Sequence, residues 1–390
     1  MSSHRPTLRE LMDDVVLGGS CSECGACVVA CPYGVLNYNG QKPEAYPARW
    51  SLRDFSRLAS AGMDPDRHNF CPVSQNVGCD VCASVCPRLR PATAEDREGV
   101  GMVLEMYGVR TRDPAVLERC QDGGFVTTLL LWALETRRID GAVVTRTSEA
   151  EPCKPVPALA TTRREILESA GSWYTYSPNT LALMEAKRRG VERVAFVGTP
   201  CQVSPIRKLL NQELLGSELI APEERNLYRQ QQHVAGFAAR VAFSVGLLCS
   251  ETFTYEGMMQ GKIAQEMGLD LGEVAKFNIK GKVLIHLKSG EVREFPLKEA
   301  FPYARPECSH CGDFSSEHAD ISAGGVGTNG WTLVLVRTPR GKALFDGLAD
   351  SGRIEVKPIT EFAKPLEIMY KLAQKQRERQ QKASMGVIGH

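Results

Sequence analysis

Residues 194–205 read Val-Ala-Phe-Val-Gly-Thr-Pro-Cys-Gln-Val-Ser-Pro. An apolar run of strand type stops at Gly198, a Gly-Thr-Pro turn follows, and the turn leads straight to Cys201. A helix is expected from Pro205, because proline suits a first helical turn. This is a strand-to-helix unit with a cysteine at its joint, and its neighbours continue the pattern. Upstream, Gly123–Glu135 opens in a Gly-Gly turn and runs on as an apolar helix, Gly141–Thr145 is a short buried strand, and Leu181–Arg189 is helical. Downstream, Ala242–Leu248 is another buried strand, and Lys282–Leu287 and Val292–Phe295 flank Lys288-Ser-Gly-Glu291 as a hairpin. Trp331–Val336 is a further strand, and Pro365–Lys382 is a charged helix, either solvated or a docking arm. The expectation is an α/β (mixed α+β) domain over residues 96–345 with a helical tail over 346–390.

Composition narrows the function classes. The chain has 390 residues, 43% of them hydrophobic, and a net charge of +1, so a sizeable core is possible and no charge imbalance points to nucleic acid. No apolar run reaches the roughly 18 residues that a membrane span needs. The start, Met-Ser-Ser-His-Arg-Pro, has no signal-peptide core, which predicts a cytoplasmic location, free or on the cytoplasmic side of a membrane complex. The outlier is cysteine, with 14 copies. In a cytoplasmic chain of this size, metal or cluster ligation explains them better than disulfides.

Cys21-Ser-Glu-Cys24-Gly-Ala-Cys27-Val-Val-Ala-Cys31-Pro32 has the spacing of the bacterial ferredoxin run, in which three close cysteines grip one 4Fe-4S cluster and the fourth serves another. Cys79-Asp-Val-Cys82-Ala-Ser-Val-Cys86-Pro87 repeats it, with Cys71 standing in for one close cysteine. Crossing the fourth ligands assigns Cys21, Cys24, Cys27 and Cys86 to one cluster, and Cys31, Cys71, Cys79 and Cys82 to the other. Zinc is the plainer alternative, but it rarely needs four cysteines plus Cys-Pro in each half. Residues 1–95 thus form a two-cluster, ferredoxin-like domain, with an insertion at about 37–70 and a polar linker over Arg88–Glu98. A third set, Cys201, Cys249, Cys308 and Cys311, combines two strand ends with one close pair and supplies four ligands for one more cluster. Cys308-Ser-His-Cys311 lacks the strand–helix setting of a thioredoxin dithiol. Cys120 and Cys153 read as structural thiols.

Three stretches invite a cofactor. Gly325-Val-Gly327-Thr-Asn-Gly330 satisfies G-x-G-x-x-G, but a dinucleotide fold needs a strand before it and a helix after; here Glu307–Ser322, with no strand expected, precedes it and a strand follows, so it is rejected as a Rossmann fingerprint. Gln121-Asp-Gly123-Gly124 opens a helix whose free N–H groups suit phosphate. Gly171-Ser-Trp-Tyr-Thr-Tyr-Ser-Pro-Asn179 offers hydroxyls, an amide and flat rings, which suit an isoalloxazine or a phosphate, or serve as a polar turn capping the helix at Thr180.

Taken in order, Gln121-Asp-Gly-Gly124, Gly171–Asn179, Gly198-Thr-Pro-Cys-Gln202, Gly246-Leu-Leu-Cys249, Cys308-Ser-His-Cys-Gly-Asp-Phe314 and Ala319–Gly325 resemble the family of beta subunits of coenzyme F-420 hydrogenases and dehydrogenases. The likeness covers roughly residues 100–345, and the N-terminal module looks most like the electron-input subunit of the F-420H2 dehydrogenase group. The long spacer and the Cys71–Cys79 gap depart from a compact ferredoxin. The resemblance implies FAD, three 4Fe-4S clusters in all, and coenzyme F-420 as substrate. Hydride would pass between F-420 and FAD, and single electrons through the clusters to a partner. That partner would be a hydrogenase, a formate dehydrogenase, a disulfide reductase or a membrane respiratory complex. By match to the family, FAD would lie against Gly123, Gly124, Ser172, Tyr174, Thr175, Ser177, Asn179, Gly198, Thr199 and Gln202. Lys276, Lys280 and Lys282 would meet the phosphate or polyglutamate end of F-420, or else form an ordinary charged hairpin face. No side chain is required as a catalytic nucleophile, and His233, His286 and His310 read as structural or surface residues. The rival readings are a ferredoxin-driven reductase of another organic substrate, a non-catalytic electron carrier, and a zinc protein.

Overall fold

The computed structural model describes residues 6–38, 43–44, 78–89, 99–211, 215–216 and 221–385. Cys71, nearly all of the expected insertion and most of the expected linker lie outside these. Thirteen strands are described. Of these, β1 (Asn37–Tyr38) and β2 (Pro43–Glu44) pair antiparallel beside the N-terminal cysteines.

Eight strands build the main sheet: β3 (Glu105–Thr111), β4 (Gly141–Thr147), β5 (Pro155–Ala160), β6 (Val194–Gly198), β7 (Val241–Leu247), β11 (Ile321–Gly324), β12 (Thr332–Val336) and β13 (Ile354–Pro358). Their spatial order is β13-β3-β12-β11-β7-β6-β4-β5. Strands β4, β6, β7 and β11 are mutually parallel, and β5, β12 and β13 run against their neighbours. Since β3 and β11 are both antiparallel to β12, five strands point the same way. Their carboxyl ends share one edge, which is where open α/β sheets place ligands.

The quoted stretch shows why the sheet is covered on both faces. Successive side chains of a strand point to opposite faces. Val194 and Phe196 therefore enter one apolar core, with Leu183, Val203, Ile206 and Phe237 from the helices Ala182–Arg188, Pro200–Asn211 and Glu224–Arg240. Ala195 and Val197 enter the other, with Phe125, Leu129, Leu344 and Phe345 from Phe125–Glu135 and Pro339–Asp350. All five residues of β6 are buried, as a central strand of a two-sided sheet requires. The first core continues without a break into the N-terminal segment, where Leu8, Val29, Ala30, Val81 and Val85 join it.

A second sheet, β8 (Val274–Ile279), β9 (Lys282–Leu287) and β10 (Val292–Pro296), is antiparallel in the order β10-β9-β8. The expected hairpin is present, with Val292 opposite His286. Two expectations need correction. The helix after β6 starts at Pro200, so Pro205 sits inside it and has no N–H to return to the Cys201 carbonyl. The G-x-G-x-x-G stretch is preceded by a strand, β11, which the small residues Ser322, Ala323 and Gly324 conceal in the sequence. It is still followed by β12 rather than by a helix, so the Rossmann reading stays excluded. Among the described residues no helix is long and apolar enough to cross a membrane.

Candidate functional site

The N-terminal cysteines are aimed by backbone chemistry. Gly25 has φ 77° at the start of the helix Ala26–Ala30, and a side chain there would meet Leu181 at 2.6 Å. Cys31 (φ −70°, ψ 110°) and Cys86 (φ −60°, ψ 127°) end the helices Ala26–Ala30 and Val81–Val85 in extended backbone. Each precedes a proline, which disfavours helical backbone and swings the fourth thiol away from the other three. The Cys27 thiol is pushed well above its ordinary pKa by burial and then by Cys24, Cys86 and Cys21. Those four therefore stand together. Cys31 and Cys79 both act on Tyr33, and Cys82 follows Cys79 in the same turn.

The third set assembles at the carboxyl edge of the main sheet. Cys201 lies in the first turn after β6, Cys249 just beyond β7, and Cys308 and Cys311 in and after the short turn Pro306–His310. All four line one cavity. Burial first, then Cys308, Cys201 and Cys311, push the Cys249 thiol well above its usual value. Hydroxyls stand against the sulfurs, with Thr199 Oγ1 3.3 Å and the Tyr176 hydroxyl 3.8 Å from Cys201, and Thr252 Oγ1 3.7 Å from Cys308. Among the described residues no cysteine forms a disulfide. Among those residues no group of three or more His, Cys, Asp or Glu is placed to hold a single metal ion. Zinc gathers its thiolates within about 2.3 Å, whereas a cubane cluster spreads four thiolates over four irons. Free thiols converging around a cavity, with hydroxyls at the sulfurs, fit the cluster.

This set abuts the first. Burial raises the Cys24 thiol to about 12, and Cys201, Cys86 and Cys21 add to the shift. Thr180 donates to the Cys24 carbonyl, and Lys208, near the far end of the Cys201 helix, donates to the Cys86 carbonyl at 2.6 Å. Arg305 lies 4.1 Å over the Tyr176 ring and pairs with Glu23 at 2.7 Å. Arg88 bridges the sets through three backbone carbonyls, of Ser20 (3.0 Å), His310 (2.6 Å) and Glu307 (3.1 Å). Burial works against the Arg88 charge, but Cys311, Cys201 and Cys308 outweigh it and its pKa is raised.

A polar pocket forms around the Gln121–Gly124 turn. Gly123 packs on strand backbone (a side chain would meet the Val109 oxygen at 2.2 Å), and Gly124 takes φ 73° to start the helix Phe125–Glu135. Gln121 Nε2 donates to the Tyr174 hydroxyl at 2.6 Å, and Asn278 of β8 donates to the Gln121 carbonyl at 3.1 Å. Asp122 lies 4.0 Å from Lys280, and burial lifts its carboxyl to about 6 despite that lysine. Gly325 leaves room for it, since a side chain there would stand 1.7 Å from Asp122 Oδ2. Among the described residues Gln121 Oε1, Thr175 Oγ1 and His286 Nε2 are buried without a hydrogen-bond partner. Burying polar atoms unpaired is costly. Three of them around a glycine-lined turn fit a polar, flat-ringed ligand such as a flavin.

The expected flavin residues divide into two kinds. Ser172 and Tyr174 are partly exposed, and Thr175 is buried beside the turn. Ser177, Asn179, Thr199 and Gln202 are instead engaged with one another. Ser177 donates to Asn179 Oδ1 (2.8 Å), Asn179 to the Val197 carbonyl (3.0 Å), and Gln202 takes the Thr199 N–H (3.1 Å) while donating to the Ser177 carbonyl. Gly198 is needed because a side chain would press on Gln202 Oε1 at 2.8 Å. Lys276 donates to the Glu118 carbonyl (3.2 Å), and Lys282 pairs with Glu294 (2.5 Å) on the hairpin surface. His233 binds the Val29 carbonyl (2.9 Å), a structural role. Cys120 and Cys153 hydrogen-bond to the Asp122 (3.0 Å) and Leu271 (3.3 Å) carbonyls and stand apart from the three sets.

Arg88 and Arg305 were not foreseen as site residues, and Gln121 and Tyr176 only as members of the stretches that invite a cofactor. The helix Ala363–Ser384 is a docking arm, the second of the two readings of the charged tail: Arg379 donates to the Ser250 (2.6 Å) and Cys308 (3.3 Å) carbonyls and pairs with Glu251 (2.7 Å). The sequence signal for it was the basic tail itself.

Known proteins resemble this chain. The families described as coenzyme F-420 hydrogenase/dehydrogenase beta subunit, N-terminal and C-terminal parts, match residues 106–184 and 191–362, and a 4Fe-4S double cluster binding domain matches 20–88. The coenzyme F-420 hydrogenase subunit beta of Methanococcus voltae is 34% identical over 279 residues, 70% of this chain and 91% of the relative. A subunit of the F-420H2 dehydrogenase of Methanosarcina mazei is 29% identical, spanning 94% of this chain and 91% of the relative. A chain of the F-420-reducing nickel–iron hydrogenase complex from Methanosarcina barkeri superimposes with a TM-score of 0.65 at 33% identity, covering 75% of this chain and 95% of that one.

Proposed function

Because the chain belongs to the family of coenzyme F-420 hydrogenase/dehydrogenase beta subunits, we propose that it is an iron–sulfur flavoprotein subunit that exchanges a hydride with F-420 and passes single electrons to a partner redox subunit. The observation that carries this reading is the convergence of Cys201, Cys249, Cys308 and Cys311 on one cavity, whose wall Ser22 and Arg88 complete from the N-terminal cysteine segment. A bound flavin supplies the conversion between two-electron and one-electron chemistry.

The chain's own residues position, insulate and connect. Cys21, Cys24, Cys27 and Cys86 hold one 4Fe-4S cluster, Cys31, Cys71, Cys79 and Cys82 the second, and the convergent set the third. Gly123, Gly124, Ser172, Tyr174 and Thr175 receive the flavin, with the unpaired Gln121 and Thr175 oxygens offered to it. Ser177, Asn179, Gly198, Thr199 and Gln202 clasp that segment to the Cys201 loop. Lys276 and Lys280, and more peripherally Lys282, present positive charge to the anionic end of F-420. In domain terms, 1–95 is the cluster module, 96–345 the flavin-binding unit, and 346–390 a tail that first adds β13 to the edge of the main sheet and then closes over Cys308 with the helix Ala363–Ser384. Likeness to an F-420H2 dehydrogenase subunit along nearly the whole chain supports an electron path that continues through the N-terminal clusters.

The test is an anaerobic assay of the reconstituted protein with F-420H2 and a one-electron dye. Reduction of the dye is expected; protein loaded with FAD and iron that leaves the dye oxidised refutes the substrate assignment. Cys201→Ser should lower the iron content by about four atoms per chain, one cubane cluster.

A further inference from the structure

We propose that Arg88 is a positioning residue that joins the two adjoining cysteine sets and raises the electron affinity of the centre held by Cys201, Cys249, Cys308 and Cys311. The inference rests on the reading of that set as a 4Fe-4S site. Arg88 follows Cys86 by two residues, so it belongs in sequence to the N-terminal set. Its side chain turns back across the junction. Nε reaches the carbonyl of Ser20, next to Cys21, while Nη1 and Nη2 reach those of His310 and Glu307, on either side of Cys308. One planar fork thus meets the backbone on both sides of the gap, and its charge is held there.

Its charge is the second half of the argument. Of the other cations at the junction, Lys208 faces the N-terminal set, donating to the Cys86 carbonyl at 2.6 Å, and Arg305 is paired with Glu23 at 2.7 Å and has Glu307 at 3.8 Å, so its field is largely cancelled. Arg379, on the far side, is likewise paired with Glu251 at 2.7 Å. Arg88 donates to three neutral carbonyls, and among the described residues no carboxylate is paired with it. It lies among Cys201, Cys308 and Cys311 and helps wall their cavity. Each electron added to a thiolate-held cluster makes it more negative, and the protein tunes the potential through nearby charge and hydrogen bonds. A half-buried cation with no carboxylate partner among the described residues favours the reduced form of this centre. Electrons arriving from the flavin side are thereby held at the junction, next to Cys24, before they move on.

The experiment uses the full chain, reconstituted anaerobically with iron, sulfide and FAD, as wild type, Arg88→Gln, Arg88→Lys and Cys201→Ser. The readouts are iron per chain and an EPR-monitored redox titration of the signal that Cys201→Ser removes. With iron retained, Arg88→Gln should lower the midpoint of that signal by at least a tenfold change in equilibrium constant, 59 mV for one electron. The other signals should move less, and Arg88→Lys should recover most of the shift. An unmoved midpoint in iron-replete Arg88→Gln overturns the proposal, as does an equal fall in Arg88→Lys, which would assign the effect to packing. If Arg88→Gln loses iron, Arg88→Lys decides: full iron with the wild-type midpoint supports the role of charge, and iron loss in both variants overturns it. If Cys201→Ser removes no signal, the cluster assignment itself falls and takes this inference with it.

Discussion

Replacing Gln202 with methionine keeps the length and volume of a side chain that is 1% exposed and removes both of its hydrogen bonds. The two losses are unequal. The Thr199 N–H, held by Gln202 Oε1 at 3.1 Å, is left without a partner, which costs about 1–3 kcal/mol. The Ser177 carbonyl loses the Gln202 amide but keeps the Asn179 N–H at 3.0 Å, so that loss is about 0.5–1.5 kcal/mol. Together they weaken the clasp between the flavin segment and the Cys201 loop by roughly 1.5–4.5 kcal/mol, provided the two losses add. Local opening should become roughly tenfold to a thousandfold more frequent, at about 1.4 kcal/mol per tenfold. Hydrogen–deuterium exchange by mass spectrometry reads this directly. Peptides covering residues 198–203 of Gln202→Met should lose protection, while those of the central strand β12 serve as the unperturbed control. Unchanged exchange over 198–203 in a folded variant would show that Gln202 is not the clasp and would return it to the role of a ligand contact.

Gly325→Ala should displace the Asp122 carboxylate, since the new methyl would stand 1.7 Å from Oδ2, at a cost of roughly 1–3 kcal/mol. Thermal unfolding should show the loss, and Asp122→Ala in the same chain should reverse most of it. Asp122 also sets a pH dependence. Burial raises its folded carboxyl from 3.8 to about 6, so the folded state binds the proton more tightly than the unfolded chain. Its contribution therefore favours folding at low pH and declines as pH rises from about 3.8 to 6, in line with proton linkage. Urea titrations of flavin-free wild type and Asp122→Asn across that window should differ in slope; parallel curves would remove Asp122 as the source. Arg379→Ala breaks the ties to Ser250, Glu251 and Cys308. It should leave the fold intact and speed the chelator-driven bleaching of the cluster band several-fold, whereas an unchanged bleaching rate would mean that the C-terminal helix does not close the site.

Much of this architecture was legible because its determinants are local. Cysteine spacing and the two Cys-Pro steps dictate loops that aim thiols, and the alternation of Val194, Ala195, Phe196 and Val197 suffices for a strand between two helical layers. The hairpin around Lys288–Glu291 follows from its own turn residues. What escaped is held by partners remote in sequence. Arg88 lies in a polar stretch that reads as linker, because its acceptors are backbone carbonyls more than 200 residues away, which carry no residue signature. Strand β11 escaped because Ser322, Ala323 and Gly324 are small residues chosen by close packing; a side chain at Gly324 would meet Leu248 at 2.7 Å. Ser177, Asn179 and Gln202 have the composition of ligand contacts, and only the fold reveals that they bind one another. Pro205 misplaced a helix start because proline at the first turn is the common case, and here Pro200 already occupies it.

The shared core beneath the N-terminal cysteines has a consequence for how the protein is made. Val29, Ala30, Val81 and Val85 pack with Phe196, Ile206, Phe237 and Val241, so the first-synthesised cysteines are enclosed by the middle of the chain. At ribosomal rates of about 5–20 residues per second, Cys31 waits roughly 10–40 s before Val241 has been added. Throughout that interval the part of the chain that encloses these thiols does not yet exist. Cluster insertion is therefore best completed after translation, or under the cover of a chaperone that releases the segment only when the Cys201 helix is ready to receive it.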